Sequence, residues 1–264
     1  MRPYTTDALP GPSAAERVRT VLARASSLSL TTTGQDYDLL GMHTVDRDGR
    51  ISLHPPAGDP LTRQVAEAPH GTLACLLEFT DIAPTAARER VRARVTVSGV
   101  LSAAAVRDTD RHDHGCDHGH GRGGGTSEDG DGGALRLDAG WVQLRTATGS
   151  VDVPLDAYAR AEADPLAVEE AAMLTHLADA HGDLVGGLVE AAGLRLPRDI
   201  VRTVPYALDS RSVTLRCEHA HGHCDLRLLF PAPARDGAEV GERIRQLLTA
   251  PRTCAHRHRT TGTH

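Results

Sequence analysis

The chain has 264 residues, a net charge of −6, and 40% apolar residues supplied mostly by Ala, Val and Leu, with aromatics at only 3%. That length gives room for one or two domains with proper cores, whereas scarce aromatics and an acidic balance argue against a base-stacking nucleic-acid platform. Lysine and asparagine are absent and all 29 basic residues are arginine, which removes Schiff-base and pyridoxal-phosphate chemistry, P-loop nucleotide binding and N-glycosylation. The cysteines Cys75, Cys116, Cys217, Cys224 and Cys254 are scattered and form no C-x-x-C pair, so neither a disulfide framework nor a zinc ribbon is expected. With no run of about 18 apolar residues and no leader-like start, the expected location is cytoplasmic, away from membranes.

Residues 1–12 read as a loose lead-in. Ser13-Ala-Ala-Glu16 has capping-box spacing, and the helix it opens, 14–25, sets Val18, Val21 and Leu22 on one stripe with arginines opposite. From residue 27 the period becomes two. Strands are predicted at 27–33, 38–45 and 50–55, with Asp48-Gly49 as the turn between the last two. A short helix at 59–67 has Asp59 as N-cap and Pro60 at its first position. TLACLLEFT (72–80) reads as a strand buried on both faces. RERVRARVTVSGVL (88–101) alternates, with Val91, Ala93, Val95 and Val97 on one side and Arg90, Arg92, Arg94 and Thr96 on the other.

Patterning stops at 107–133, a stretch of nine glycines with seven acids against three arginines. Such a segment cannot bury enough surface to offset its ordering entropy, so disorder is expected. Because 134–147 resumes as a strand, the segment is an insertion between two strands of one sheet. The second part begins near Pro154. It is predicted as a long helix from Asp164-Pro165 to about Gly193, three short strands (203–208, 212–218, 223–230) and a helix at 236–249. The expected organisation is therefore a β-rich domain over 13–153, an α+β domain over 154–250 and a flexible His-containing tail over 251–264, within the α+β class.

Three groups could carry chemistry. His112, His114, Cys116, His118 and His120 alternate within the insertion, and their donors suit a divalent metal such as zinc, nickel or copper. Cys217, His219, His221, His223 and Cys224 straddle a predicted strand turn, where a polar hairpin tip competes with a metal site. His176 and His181 lie five apart, about 140° around a continuous helix, so they are not expected to share a metal; His181 reads as a core histidine. No G-x-S-x-G elbow or G-x-G-x-x-G loop is present.

The segments LLEFTDIAP with RVRARVTVSG, DPLAVEEAAMLTHLADAHGDLV and DLRLLFPAP, in that order, resemble the haem-utilisation family. In that family an FMN-binding-type split β-barrel precedes a small DUF2470-type α+β domain. The helix segment matches its His-hydrophobic-Asn-x-Asp-His pattern at His176, Leu177 and His181, with Ala178 and Ala180 in place of Asn and Asp. The resemblance implies a homodimer that takes a tetrapyrrole ligand. By it, Arg92 or Arg94 would stand near haem propionates, and His256 or His258 would serve as axial ligand. Haem held so could be degraded with oxygen and an external reductant. The same resemblance leaves open a non-catalytic regulatory or metal-handling binding module, and an FMN-binding oxidoreductase.

Overall fold

The capping box at Ser13 forms as its spacing requires. In the computed structural model, which describes residues 11–104, 133–192 and 199–249, Ser13 Oγ accepts the Glu16 N–H at 3.2 Å and Glu16 accepts the Ser13 N–H at 2.7 Å. Helix α1 (Ala14–Arg24) buries Val18, Val21 and Leu22. Its polar face is not wholly solvated. Arg19 is also buried, and its Nη2 donates to the carbonyls of Asp46 and Arg47, each at 2.8 Å.

Eight antiparallel strands follow: β1 (Ser27–Thr32), β2 (Gln35–Asp38), β3 (His43–Val45), β4 (Ile51–Leu53), β5 (Thr72–Ile82), β6 (Val91–Ala103), β7 (Leu135–Thr146) and β8 (Gly149–Asp152). They form one curled sheet in the order β2-β1-β5-β6-β7-β4-β3, with β8 added on β7. Predicted strand 38–45 resolves into two pieces separated by a turn at 39–42. Helix α2 (Pro60–Glu67) has the expected cap, Asp59 accepting the Leu61 N–H at 2.8 Å.

Two expectations for β5 and β6 need correction. Strand β5 buries only one face: Cys75, Leu77, Phe79 and Asp81 point inward, whereas Leu76 is 40% exposed. Its apolar run mixes core residues with surface ones, which a continuous run cannot reveal. Strand β6 carries a bulge opposite Asp81/Ile82 and faces a second one on β7, where Ser98 pairs with Trp141 and Gly99 with Ala139 and Gly140 is the extra residue. At the second, a Cβ on Gly99 would run into the Asp138 carbonyl, so the close approach of β7 requires glycine. The hairpin ends of β6 and β7 meet directly, with the Ala104 N–H donating to the Ala134 carbonyl at 2.8 Å; residues 105–132 lie outside the described residues.

The barrel core also takes Tyr158 from α3 (Leu155–Arg160), so its packing continues beyond Pro154. The Tyr158 hydroxyl donates to the Gly49 carbonyl, and burial pushes its pKa up to about 12. The second core lies against a separate three-stranded meander, β9 (Ile200–Asp209), β10 (Ser212–His219) and β11 (Gly222–Leu229). Helices α4 (Glu170–Ala180), α5 (Gly182–Ala191) and α6 (Gly237–Thr249) contribute Leu174, Leu177, Leu188, Val240 and Ile244 to it. The predicted long helix is thus two helices, broken at His181, and it starts later than Asp164. Asp164 still bonds the Leu166 N–H at 2.9 Å, but its other oxygen is taken by Ser210, which pins the segment to the meander. The predicted stop at Gly193 lies outside the described residues. The whole is α+β: a split β-barrel followed by a small unit of helices around a three-stranded meander.

Candidate functional site

Strand β6 puts two arginines two residues apart, which on a regular strand would share one face. They do not share one environment. The register pairs Asp81 with Ala93 and Ile82 with Val91, leaving Arg92 as the extra residue of a bulge, and a bulge re-aims its side chain. Arg92 Nε and Nη2 donate to Asp81 Oδ1 at 3.2 and 2.7 Å. Its Nη1 donates to Glu170 Oε1 at 2.7 Å and to the Tyr206 carbonyl at 3.1 Å, and Nη2 also reaches Glu170 Oε2 at 2.9 Å. An arginine has five N–H donors, and all five are spent inside the protein. Arg24 closes the other side, bonding Asp81 and reaching Glu170 Oε2 at 2.9 Å.

The side chains of Asp81 and Glu170 are each 2% exposed, and Arg92 8%. Burial alone would lower the Arg92 pKa; Asp81 and Glu170 outweigh it and hold the value above the ordinary one. Glu170 also accepts the Leu208 N–H at 3.0 Å. Two guanidiniums and two carboxylates therefore bolt α1, β5 and β6 to α4 and β9. The expectation that Arg92 faces a ligand carboxylate does not fit this geometry, since no donor remains for one.

A second clamp lies along the same seam. Arg216 on β10, 4% exposed, grips Asp225 with Nε at 2.7 Å and Nη2 at 2.8 Å, and its Nη1 donates to the carbonyls of Arg88 and Glu89 at 2.6 and 2.9 Å. Its guanidinium lies 3.4 Å from the Tyr206 ring centroid, a stacked cation–π contact. Glu89 is held at φ 51°, in the left-handed region, with the Tyr206 hydroxyl also donating to its carbonyl at 3.1 Å.

Arg94 is in a different situation. It stands on the outer face of the sheet, its side chain 39% exposed, paired with Glu78. Arg145, 55% exposed, comes within 3.7 Å of the same carboxylate. Cross-strand register places Thr80, Arg94 and Arg145 in one row, Glu78, Thr96 and Gln143 in the next, and Leu76, Ser98 and Trp141 in the third. The first and third rows are four residues apart along the strands, roughly 13 Å. The outer face thus runs from an arginine row, across a row where the Glu78 carboxylate stands beside Thr96 and Gln143 and is shared by both arginines, to a row that includes Leu76 and Trp141. Such a surface suits a flat ligand with anionic groups at one end.

A hollow lies elsewhere, an open groove of about 720 Å³ between α1, β8 and α3. Glu16, Asp152 and Glu162 line it beside a single arginine, Arg160, which is paired with Asp156 at 2.6 Å. That lining disfavours an anionic ligand. A small cavity of about 90 Å³ abuts the buried ion-pair network.

The other sequence candidates separate cleanly. On the β10–β11 hairpin Cys217 faces Cys224, Glu218 faces His223 and His219 faces Gly222, with Ala220 and His221 forming the turn. Cys217 is fully buried and burial pushes its thiol pKa up. Among the described residues no group of three or more His, Cys, Asp or Glu side chains could hold a metal ion. His112, His114, Cys116, His118, His120, His256 and His258 lie outside the described residues. His176 and His181, expected to diverge, are brought together instead: the break at His181 sets their Nε2 atoms 3.2 Å apart.

No protein-family model matches this chain, and no curated protein sequence does. Among solved structures it is similar to a heme binding protein from Mycobacterium smegmatis, with a TM-score of 0.54 and 21% identity over 91% of this chain and 98% of that one. A protein of unknown function from Agrobacterium tumefaciens str. C58, Atu2129, aligns over the same shares at 16% identity and a TM-score of 0.37. The first likeness supports the barrel-plus-meander fold. Among the described residues no helix is long and apolar enough to cross a membrane.

Asp81 and Glu170 form no paired-carboxylate motif in the sequence, yet a signal of their burial is present there. Asp81 is in phase with Cys75, Leu77 and Phe79, and Glu170 lies four residues before Leu174. A charge on a core-facing position requires a partner.

Proposed function

We propose that this protein binds haem on the outer face of its barrel, as a homodimer, with Arg94 at the propionates. The observation that carries this reading is the contrast on β6, where Arg94 is solvent-accessible on a face that runs from an arginine row to a row that includes Leu76 and Trp141. The likeness to the M. smegmatis heme binding protein over 91% of the chain supports it. Arg145 would share the anionic end, and Thr96 and Ser98 offer hydroxyls between the two edges. Leu76 and Val100, each 40% exposed on neighbouring strands, are apolar surface that a second copy or the macrocycle would remove from water. His256 or His258 is proposed as the axial ligand. Bound haem supplies an iron that, with oxygen and an external reductant, can oxidise the macrocycle. What the chain's own residues contribute is orientation: a fixed arginine row sets which end of the ligand enters first.

The test is a hemin titration of the purified chain, followed at the Soret band. A sharp shift saturating at one hemin per chain is expected, and it should be lost when His256 and His258 are both replaced by Ala. An unchanged shift in that double variant would overturn the axial assignment. Loose, non-stoichiometric uptake by the wild-type chain would overturn the haem reading itself.

A further inference from the structure

The helix break at His181 has no proline to cause it. His181 takes φ −134° and ψ 44°, outside the helical region, and α5 then starts without a side-chain cap. The break turns two histidines that would stand about 140° apart on a continuous helix into a facing pair. The ring centroids are 4.8 Å apart, the planes are nearly perpendicular at 86°, and Nε2 meets Nε2 at 3.2 Å. Two imidazole nitrogens that share one tetrahedral ion, each on an arm of about 2.0–2.1 Å, are about 3.3 Å apart. The observed spacing is already that of a chelating pair.

The surroundings favour a cation. Asp179 and Asp183, both exposed, flank the two histidines in sequence, and the chain carries no arginine between Arg160 and Arg195. His176 is exposed and His181 half-buried, so an ion can reach both rings from water.

We infer that His176 and His181 form an exchangeable binding site for a first-row divalent cation of the zinc class, with Nε2 of each ring as ligand and water in the remaining positions. Without the ion one ring donates its Nε2–H to the other's lone pair. With it, both Nε2 lone pairs turn to the metal and both protons sit on Nδ1. Imidazole donors select zinc, copper or nickel over magnesium or calcium. This site lies on the helical unit, uses none of the proposed haem contacts and stands or falls independently of them.

The experiment is a Zn²⁺ titration of the full chain, read by long-range ¹H–¹⁵N spectra that resolve each imidazole. The Nε2 resonances of His176 and His181 should move together along one saturating curve, whatever zinc the other histidines take up. His176→Ala/His181→Ala should remove one equivalent of zinc uptake, and either single substitution should weaken that uptake roughly a hundredfold, because the second arm of a chelate acts at high effective concentration. Zinc should raise the melting temperature of the wild-type chain more than that of the double variant, whose own far-UV circular dichroism reports folding. Stationary Nε2 resonances for this pair while other histidines titrate, or a double variant that takes up as much zinc as wild type, would overturn the site and leave only a structural hydrogen bond.

Discussion

The seam between barrel and meander and the outer face of the barrel sheet are built from the same residue types and share strands β5 and β6, yet they do opposite things. At the seam, Arg92 and Arg216 spend their donors on carboxylates and carbonyls of neighbouring elements, and Asp81 and Glu170 are sealed from water. On the outer face, Arg94 and Arg145 share a single carboxylate and keep surface in contact with solvent. Charge alone therefore does not mark a binding residue. What distinguishes the two is how many of an arginine's five N–H groups are already used.

The comparison can be broken most forcefully at Glu170. Glu170→Ala leaves Arg24 and Arg92 short of a partner and the Leu208 N–H without an acceptor, so we expect a loss of about 3–5 kcal/mol, read by urea unfolding. A loss under about 1 kcal/mol would mean that the network is dispensable. Next in size is Arg216→Lys. A lysine keeps the charge but cannot grip Asp225 bidentately, reach two carbonyls and stack on Tyr206 at once. Roughly 1.5–3 kcal/mol should be lost, with faster proteolysis within 83–90, and unchanged cleavage there would count against the clamp.

Ser13→Ala removes one half of the capping box and should cost about 1 kcal/mol by the same unfolding measurement. It serves as a calibration for an exposed feature far from both regions. Arg94→Ala is expected to have the smallest effect on stability, below about 1 kcal/mol, because its pair with Glu78 is partly exposed. A drop as large as that of Glu170→Ala would erase the distinction between seam and face.

Much of the fold was legible because local chemistry decided it. The box at Ser13 and Glu16, the Asp59-Pro60 start and the alternation of Val95 and Val97 each map onto one element without help from the rest of the chain. The failures arise where tertiary packing overrides periodicity. Arg92 and Arg94 are in phase by sequence, and only the bulge opposite Asp81 and Ile82 separates them. His176 and His181 diverge on any continuous helix, and only the break between α4 and α5 joins them. In β5, a run of Leu and Ala cannot say which residues face out, since that depends on what covers the sheet. Of the site residues expected from the family resemblance, Arg94 stands on an accessible face, Arg92 belongs to the seam, and the tail histidines lie outside the described residues.

The measurement that bears most directly on the central claim is the hemin affinity of Arg94→Ala beside that of the wild-type chain, in one buffer and at one protein concentration. With the charged contact to a propionate gone, hemin should bind ten- to a hundredfold more weakly, roughly the worth of one charge-assisted hydrogen bond, while thermal melting stays near that of wild type. Superimposable titration curves for the two proteins would contradict the assignment of the barrel's outer face as the ligand surface.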